Sequence, residues 1–390
     1  MIATVVAFLI CAAWFAVLIR TARGLPALPD LPRGLPLPDK PPLVSVIVAA
    51  KEEQDNIQET IKHLMRQSYP RLEIVAVNDR SNDATGARLE ELKAWSESRP
   101  NDGPPLRVVH ITQLPDGWLG KNHAMYQGYR LARGSFLLFT DADVLFQPDA
   151  IRDAVAYALR ESAEHITLLP RLKSRSFLLK AFVHYFMFCL CLIYPPWLAN
   201  RDDLRRGGIG VGAFNLIRRD AYEAIGTHEA LRMRPDDDLR LGALVKKAGL
   251  RQRVVPGADR IGVEWYKSLK EAIKGLEKNI YAGLGYRVSL AVSAVAGQLL
   301  FFVLPLFAPL WARGAAFWLF LLADLLFALT YLAVVRRING ERGEDVLALH
   351  AAVPVLVWVL TRSIWLAHKR KGVYWRGTFY ALNELKRRFR

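Results

Sequence analysis

Residues 2–19, IATVVAFLICAAWFAVLI, form an apolar run without a single charged side chain. A helix that is apolar on every side has to be buried, in protein or in lipid. At about 1.5 Å per residue this run nearly crosses a ~30 Å hydrocarbon layer. Arg20 and Arg23 follow it directly. A cleavable export signal has the opposite order, with positive charge first and a small-residue cleavage pattern after the run. Residues 1–23 therefore predict an uncleaved anchor with its N-terminus outside and the following chain in the cytoplasm, at the inner membrane.

Three more apolar runs, about 288–311, 315–335 and 346–366, define a predicted C-terminal membrane region over 286–368. Arg336 and Arg337 follow the second run, and Lys369, Arg370 and Lys371 the third. These segments explain how a chain of 390 residues and net charge +16 still has a mean hydropathy of +0.13. Basic flanks on anionic lipid account for the charge. Nucleic-acid binding is disfavoured, since the chain has no zinc-ligand spacing, ribonucleoprotein sequence or basic-aromatic strand pattern. Three full crossings after a cytoplasmic domain would leave residues 369–390 outside, against the basic-inside tendency, and Arg362 interrupts the last run. The expectation is a basic cytoplasmic tail, with 346–366 re-entrant or the apolar stretches divided differently. Cys11, Cys189 and Cys191 all lie in apolar runs and read as buried free thiols.

Residues 24–43 contain seven prolines and read as a semi-rigid linker. Beyond it, VSVIVAA (44–50), LEIVAVND (72–79), LRVVHIT (106–112) and SFLLFTDAD (135–143) read as buried strands, separated by helical patterns. One helix is expected over about 122–132. This alternation predicts an α/β fold with a mostly parallel sheet, over a domain of 44–285. Ligands bind such sheets outside the carboxyl ends of the strands, where Glu53, Asp79, Asp83, Asp141 and Asp143 fall. Asp141 and Asp143, one residue apart at a strand end, would point to one side of an extended chain and suit one hard cation, Mg²⁺ or Mn²⁺. There is no glycine-rich dinucleotide fingerprint, P-loop, nucleophile elbow or paired-histidine zinc motif.

The ordered segments VSVIVAAKEE, AVNDRSND, GWLGKNHAMYQG, TDAD, GVGAFNLIRRDAYEAIG and DDDLRLG resemble those of family 2 glycosyltransferases of GT-A fold. The similarity is to the membrane-anchored, lipid-acting branch that includes hopene-associated, carotenoid and ceramide glycosyltransferases. The ending KGVYWRGTFY (371–380) looks like that branch too. The resemblance implies that Ala49, Glu53 and Asp79 hold the nucleoside of the donor. It implies that Lys121 lies near the diphosphate and that Asp141 and Asp143 bind metal. Asp238 matches the catalytic base, with Asp237 its neighbouring candidate, and Trp375 and Arg376 belong to the motif near the acceptor. Residues 264–285 lack the Gln-x-x-Arg-Trp signature of processive synthases, so a single transfer is expected. The implied activity is inverting transfer of a sugar from a nucleotide-diphosphate donor, a UDP-sugar, to a hydroxyl or carboxyl of a membrane lipid. A polyprenyl-phosphate or polysaccharide sugar transferase, or a silent lipid-binding scaffold, are the alternatives.

Segment 177–199, FLLKAFVHYFMFCLCLIYPPWLA, lies between the metal motif and the base. A single crossing there would separate them, so an interfacial or re-entrant helix is expected, with His184 at the membrane surface.

Overall fold

The computed structural model describes residues 1–99, 103–375 and 378–388. The chain divides into two compact units. One comprises residues 27–172 and 194–264, the other residues 1–26, 173–193 and 265–390.

The first unit is α/β. Its strands are β1 (Val44–Ala50), β2 (Leu72–Asp79), β3 (Leu106–Ile111), β4 (Phe136–Asp141), β5 (Val144–Phe146), β6 (His165–Leu169), β7 (Arg171–Leu172), β8 (Asn215–Arg218), β9 (Gln252–Pro256) and β10 (Ile261–Val263). Seven of them form one sheet in the order β3-β2-β1-β4-β8-β6-β9. The first four strands run parallel, and β8 is antiparallel to both of its neighbours. β1 and β2 are buried along their whole length, as strands rich in Val, Ile and Ala require when helices cover both faces. β5, β10 and β7 make a small second sheet.

One face of the large sheet is closed by the helices Gly120–Leu131 and Asp237–Lys247. Ala124, Met125, Leu241 and Val245 join Ile47, Val75, Val77 and Phe139 in a single apolar cluster. A Cβ on Gly128 would lie 2.5 Å from the Ile47 Cγ2 atom, so the helix approaches the sheet as closely as it does only because this residue has none. The first of these helices starts at Gly120, two residues earlier than its apolar pattern suggests, and so carries Lys121 in its first turn. The proline-rich stretch lies against this unit: Tyr69 and Arg71 donate to the carbonyls of Pro42 and Pro41 at 2.5 and 2.9 Å.

The second unit is helical. Among the described residues, four helices are long and apolar enough to cross a membrane: Ile2–Ala27, Val288–Leu310, Gly314–Asn339 and Glu344–Lys369. Phe177–Ile193 is apolar but shorter. The second candidate is not a uniform α-helix, for a π turn spans Leu299–Val303. There the carbonyl of Phe301 accepts the Trp14 indole N–H at 2.8 Å, and Trp14 packs on Phe188, Phe302 and Phe327. The three cysteines are free and buried.

His184 is not at a surface. It is fully buried, with Nδ1 3.0 Å from Asp345 Oδ2, and Tyr331 donates to the same oxygen. The expectation failed because the partner lies 161 residues away. Arg362, which interrupts the last apolar run, is paired with Glu277 of helix Leu269–Gly283. The chain then forms a hairpin of β11 (Gly372–Trp375) and β12 (Thr378–Ala381) and a helix Leu382–Arg388.

Candidate active site

The site lies at the carboxyl ends of β1, β2 and β4. β4 ends at Asp141, which is paired in register with Ala49 of β1. Asp143 is not in the strand. Residues 142–143 turn into β5, so alternation along an extended chain does not bring the two carboxylates together; the turn does. Burial, then the charges of Asp141 and Glu53, push the Asp143 carboxyl well above the usual carboxylate range.

Lys121 joins this group from the first turn of its helix. Its Nζ is 2.7 Å from Asp141 Oδ1 and 3.8 Å from Asp237 Oδ2. Burial works against the ammonium charge, but Asp141, Asp237 and Asp238 more than offset it and raise its pKa. Around Lys121 the carboxyls of Asp237 and Asp238 are also raised, chiefly by burial, which Lys121 opposes; the Asp141 charge adds to the rise at both.

The acidic run divides by partner. Asp236 caps the helix Asp237–Lys247 and is held by Arg234, at 2.8 and 2.6 Å. Asp237 is only 6% exposed and faces Lys121. Asp238 is half-buried, and its Oδ2 accepts the backbone N–H of Gly212 at 2.7 Å. Gly212 in turn offers its carbonyl to the N–H of Asp141 at 3.0 Å.

The nucleoside candidates sit beside this cluster. Asp79, at the end of β2, is 2% exposed and doubly bonded by its neighbour Arg80, at 2.8 and 3.1 Å. Arg80 adopts a φ of 54°, and a Cβ on Gly120 would lie 2.2 Å from Asp79 Oδ2. Glu53 accepts from the Asn56 side chain at 3.0 Å and its N–H is held by Thr85. Asp83 serves the turn: it accepts from the N–H groups of Gln54 and Thr85. Trp375 ends β11 in the helical unit, and Arg376 lies outside the described residues.

Two positioning residues have no signal in single-sequence reading. Gly212 lies in a loop whose neighbours are tied down by Gln252, Thr167 and Asn215. Asn122, 1% exposed, donates to the carbonyls of Leu231 and Arg234 at 2.5 and 2.9 Å. It thereby fixes the segment before Asp236 to the helix that carries Lys121. The GKNH segment draws attention to its lysine, whereas the asparagine's partners are more than 100 residues away.

Carboxylates at strand ends, with one lysine and a flanking helix N-terminus, lie where ligands of such sheets bind, and the lysine and helix N-terminus can meet an anion. The family described as "Glycosyl transferase family 2" matches residues 45–226. Residues 45–226 of the α/β unit thus match a family 2 glycosyltransferase domain, and the unit has the GT-A fold of enzymes of that class. A 4,4'-diaponeurosporenoate glycosyltransferase of Staphylococcus aureus strain MRSA252 is 24% identical over 355 residues, covering 87% of this chain and 89% of its own. The counterpart from strain USA300 is 25% identical over 249 residues, 62% of each chain. The mannosyltransferase PcManGT from Pyrobaculum calidifontis, solved with GDP-Man and Mn2+, has the same fold. It superposes with a TM-score of 0.54 at 19% identity, over 95% of this chain and 98% of that one.

Proposed function

We propose that the protein is an inverting glycosyltransferase that moves one sugar from a nucleotide-diphosphate donor, a UDP-sugar, to a hydroxyl or carboxyl of a membrane lipid. The observation that carries this reading is the convergence of Lys121, Asp141, Asp237 and Asp238 at the strand ends. The relatives named for diaponeurosporenoate support a lipid acceptor bearing a carboxylate.

Ala49, Glu53 and Asp79 line the place for the nucleoside, and Lys121 meets the diphosphate as charge develops on it. The donor set also suits a divalent cation: burial, then the charges of Asp141 and Glu53, raise the Asp143 carboxyl, and a cation there would offset that excess of negative charge. Asp141 and Asp143 would hold Mg²⁺ or Mn²⁺, which when bound supplies further neutralisation of the leaving diphosphate. The Mn2+ of PcManGT supports that choice. Asp238 takes the acceptor proton. It is the more exposed of the two candidates, and the N–H groups of Gly212 and Leu239, donating to Oδ2 and Oδ1 at 2.7 Å each, orient its carboxylate. Asp237 stays against Lys121 and balances its charge.

The domain works at the cytoplasmic face of the inner membrane, held by the N-terminal anchor and the C-terminal helices, with a cytoplasmic tail. Helix Leu269–Gly283 bears Lys270, Glu271, Lys274 and Glu277 and cannot sit in hydrocarbon. Its residues Glu277 and Tyr281 contact Arg362, Ser363 and His368. The end of the last apolar helix therefore shares the side of helix Leu269–Gly283, which supports the cytoplasmic tail. Purified full-length protein should hydrolyse or transfer from a UDP-sugar with Mn²⁺ and stop with EDTA; metal-independent turnover would refute the cation's role.

A further inference from the structure

Asp141 has two carboxylate oxygens in different surroundings. Oδ2 lies beside Gly212, where an added Cβ would be 2.5 Å away. Oδ1 faces the Lys121 ammonium at 2.7 Å. The Asp141 N–H is bonded to the Gly212 carbonyl, and the Gly212 N–H to Asp238, so the strand end and the glycine loop hold one another in place. A cation binding Asp141 through Oδ1 therefore meets the oxygen that Lys121 already holds. Lys121 is itself drawn to the cluster by Asp237 at 3.8 Å.

We propose that Lys121 is a built-in stand-in for the divalent cation at Asp141, and that the arriving donor diphosphate draws it away. The inference rests on the reading of Asp141 as a metal ligand and adds the competitor. A divalent ion and an ammonium at one carboxylate oxygen repel each other, so one displaces the other. A diphosphate offers Lys121 a second anion of higher charge. With the lysine moved onto it, Asp141 Oδ1 becomes available, and metal and nucleotide bind with positive coupling. By reciprocity the metal strengthens nucleotide binding by the same factor. The lysine thus keeps the crowded carboxylates neutralised before donor arrives and makes cation capture depend on the donor.

The test is Mn²⁺ binding to the full-length protein in detergent, read from the electron paramagnetic resonance signal of free Mn²⁺. It is measured alone and with UDP or GDP, for wild type, Lys121→Met, Lys121→Gln, Lys121→Arg and Asp141→Asn. Without nucleotide, Lys121→Met and Lys121→Gln should bind Mn²⁺ about tenfold more tightly than wild type, within the usual range of coupling between sites. Nucleotide should then improve Mn²⁺ affinity less than it does in wild type. Lys121→Arg, which keeps the charge, should stay near wild type and shows that the gain comes from removing a cation. Unchanged or weaker Mn²⁺ binding in both neutral variants, alongside a loss in Asp141→Asn, would overturn the stand-in role and leave the metal site intact. Unchanged Mn²⁺ binding in Asp141→Asn would overturn the metal reading and the inference together.

Discussion

The backbone N–H of Gly212 donates to Asp238 Oδ2 at 2.7 Å, while the carbonyl of the same residue accepts from the Asp141 N–H at 3.0 Å. One glycine thus couples the strand end of the metal motif to the candidate base. A Cβ there would meet Asp141 Oδ2 at 2.5 Å and Asp238 Oδ2 at 3.3 Å. Gly212→Ala should lower kcat by about a hundredfold, the cost of displacing reacting groups by about 1 Å. Turnover measured beside thermal melting checks it; full activity would show that the two carboxylates are positioned independently.

The acidic run makes a sharper separation. Asp238→Asn should lose transfer by about three orders of magnitude or more, since it removes both the base and its charge, yet still bind donor nucleotide. Asp237→Asn should keep measurable turnover, because its carboxylate faces Lys121. Calorimetric titration of nucleotide with single-turnover rates distinguishes the two. If Asp237→Asn is the dead variant, the base lies one residue earlier.

Asn122 ties the stretch before Asp236 to the Lys121 helix through the carbonyls of Leu231 and Arg234. Asn122→Ala leaves these buried acceptors short of a donor, a cost of about 1–3 kcal/mol. Its melting temperature should fall, and kcat should fall more than donor affinity. Unchanged kcat in folded protein would limit Asn122 to a structural part.

His165 is fully buried between Asn215, at 3.1 Å from Nε2, and Gln252, at 2.7 Å from Nδ1. Burial drives its pKa down from 6.5 to about 4. A His with a lowered folded-state pKa stabilises fully above pH 6.5 and loses that contribution as pH falls towards 4. Between pH 7 and 5 the loss is about 2 kcal/mol. Melting curves should shift down over this window, and His165→Gln should flatten the shift. It should not abolish it, because burial also lowers the pKa of His228.

The side of the tail can be read with Asn383→Cys, since Asn383 is exposed and the native cysteines are buried. A membrane-impermeant thiol reagent should label it in inverted vesicles and not in intact cells. Labelling of intact cells would reverse the placement.

Much of the α/β unit is legible in one dimension. β1, β2 and β4 are largely apolar runs, broken only by Ser45 and Glu73, with polar residues at or just past their ends, and a parallel sheet buried on both faces needs that pattern. What could not be read is pairing over distance. Strand alternation gave Asp141 and Asp143 one direction, but the strand stops at Asp141 and a turn takes over. His184 looked like a surface residue because Asp345 is 161 positions away.

The chain's order of residues alone was enough to define the apolar helices, the strand-helix alternation and the carboxylates at strand ends. Those depend on local periodicity and on which side chains water rejects. The tertiary structure alone decided which of Asp236, Asp237 and Asp238 meets Arg234, Lys121 or Gly212, and that Lys121 occupies Asp141. Adjacent carboxylates are chemically identical in sequence. They differ only once folding gives each its own burial and its own partner.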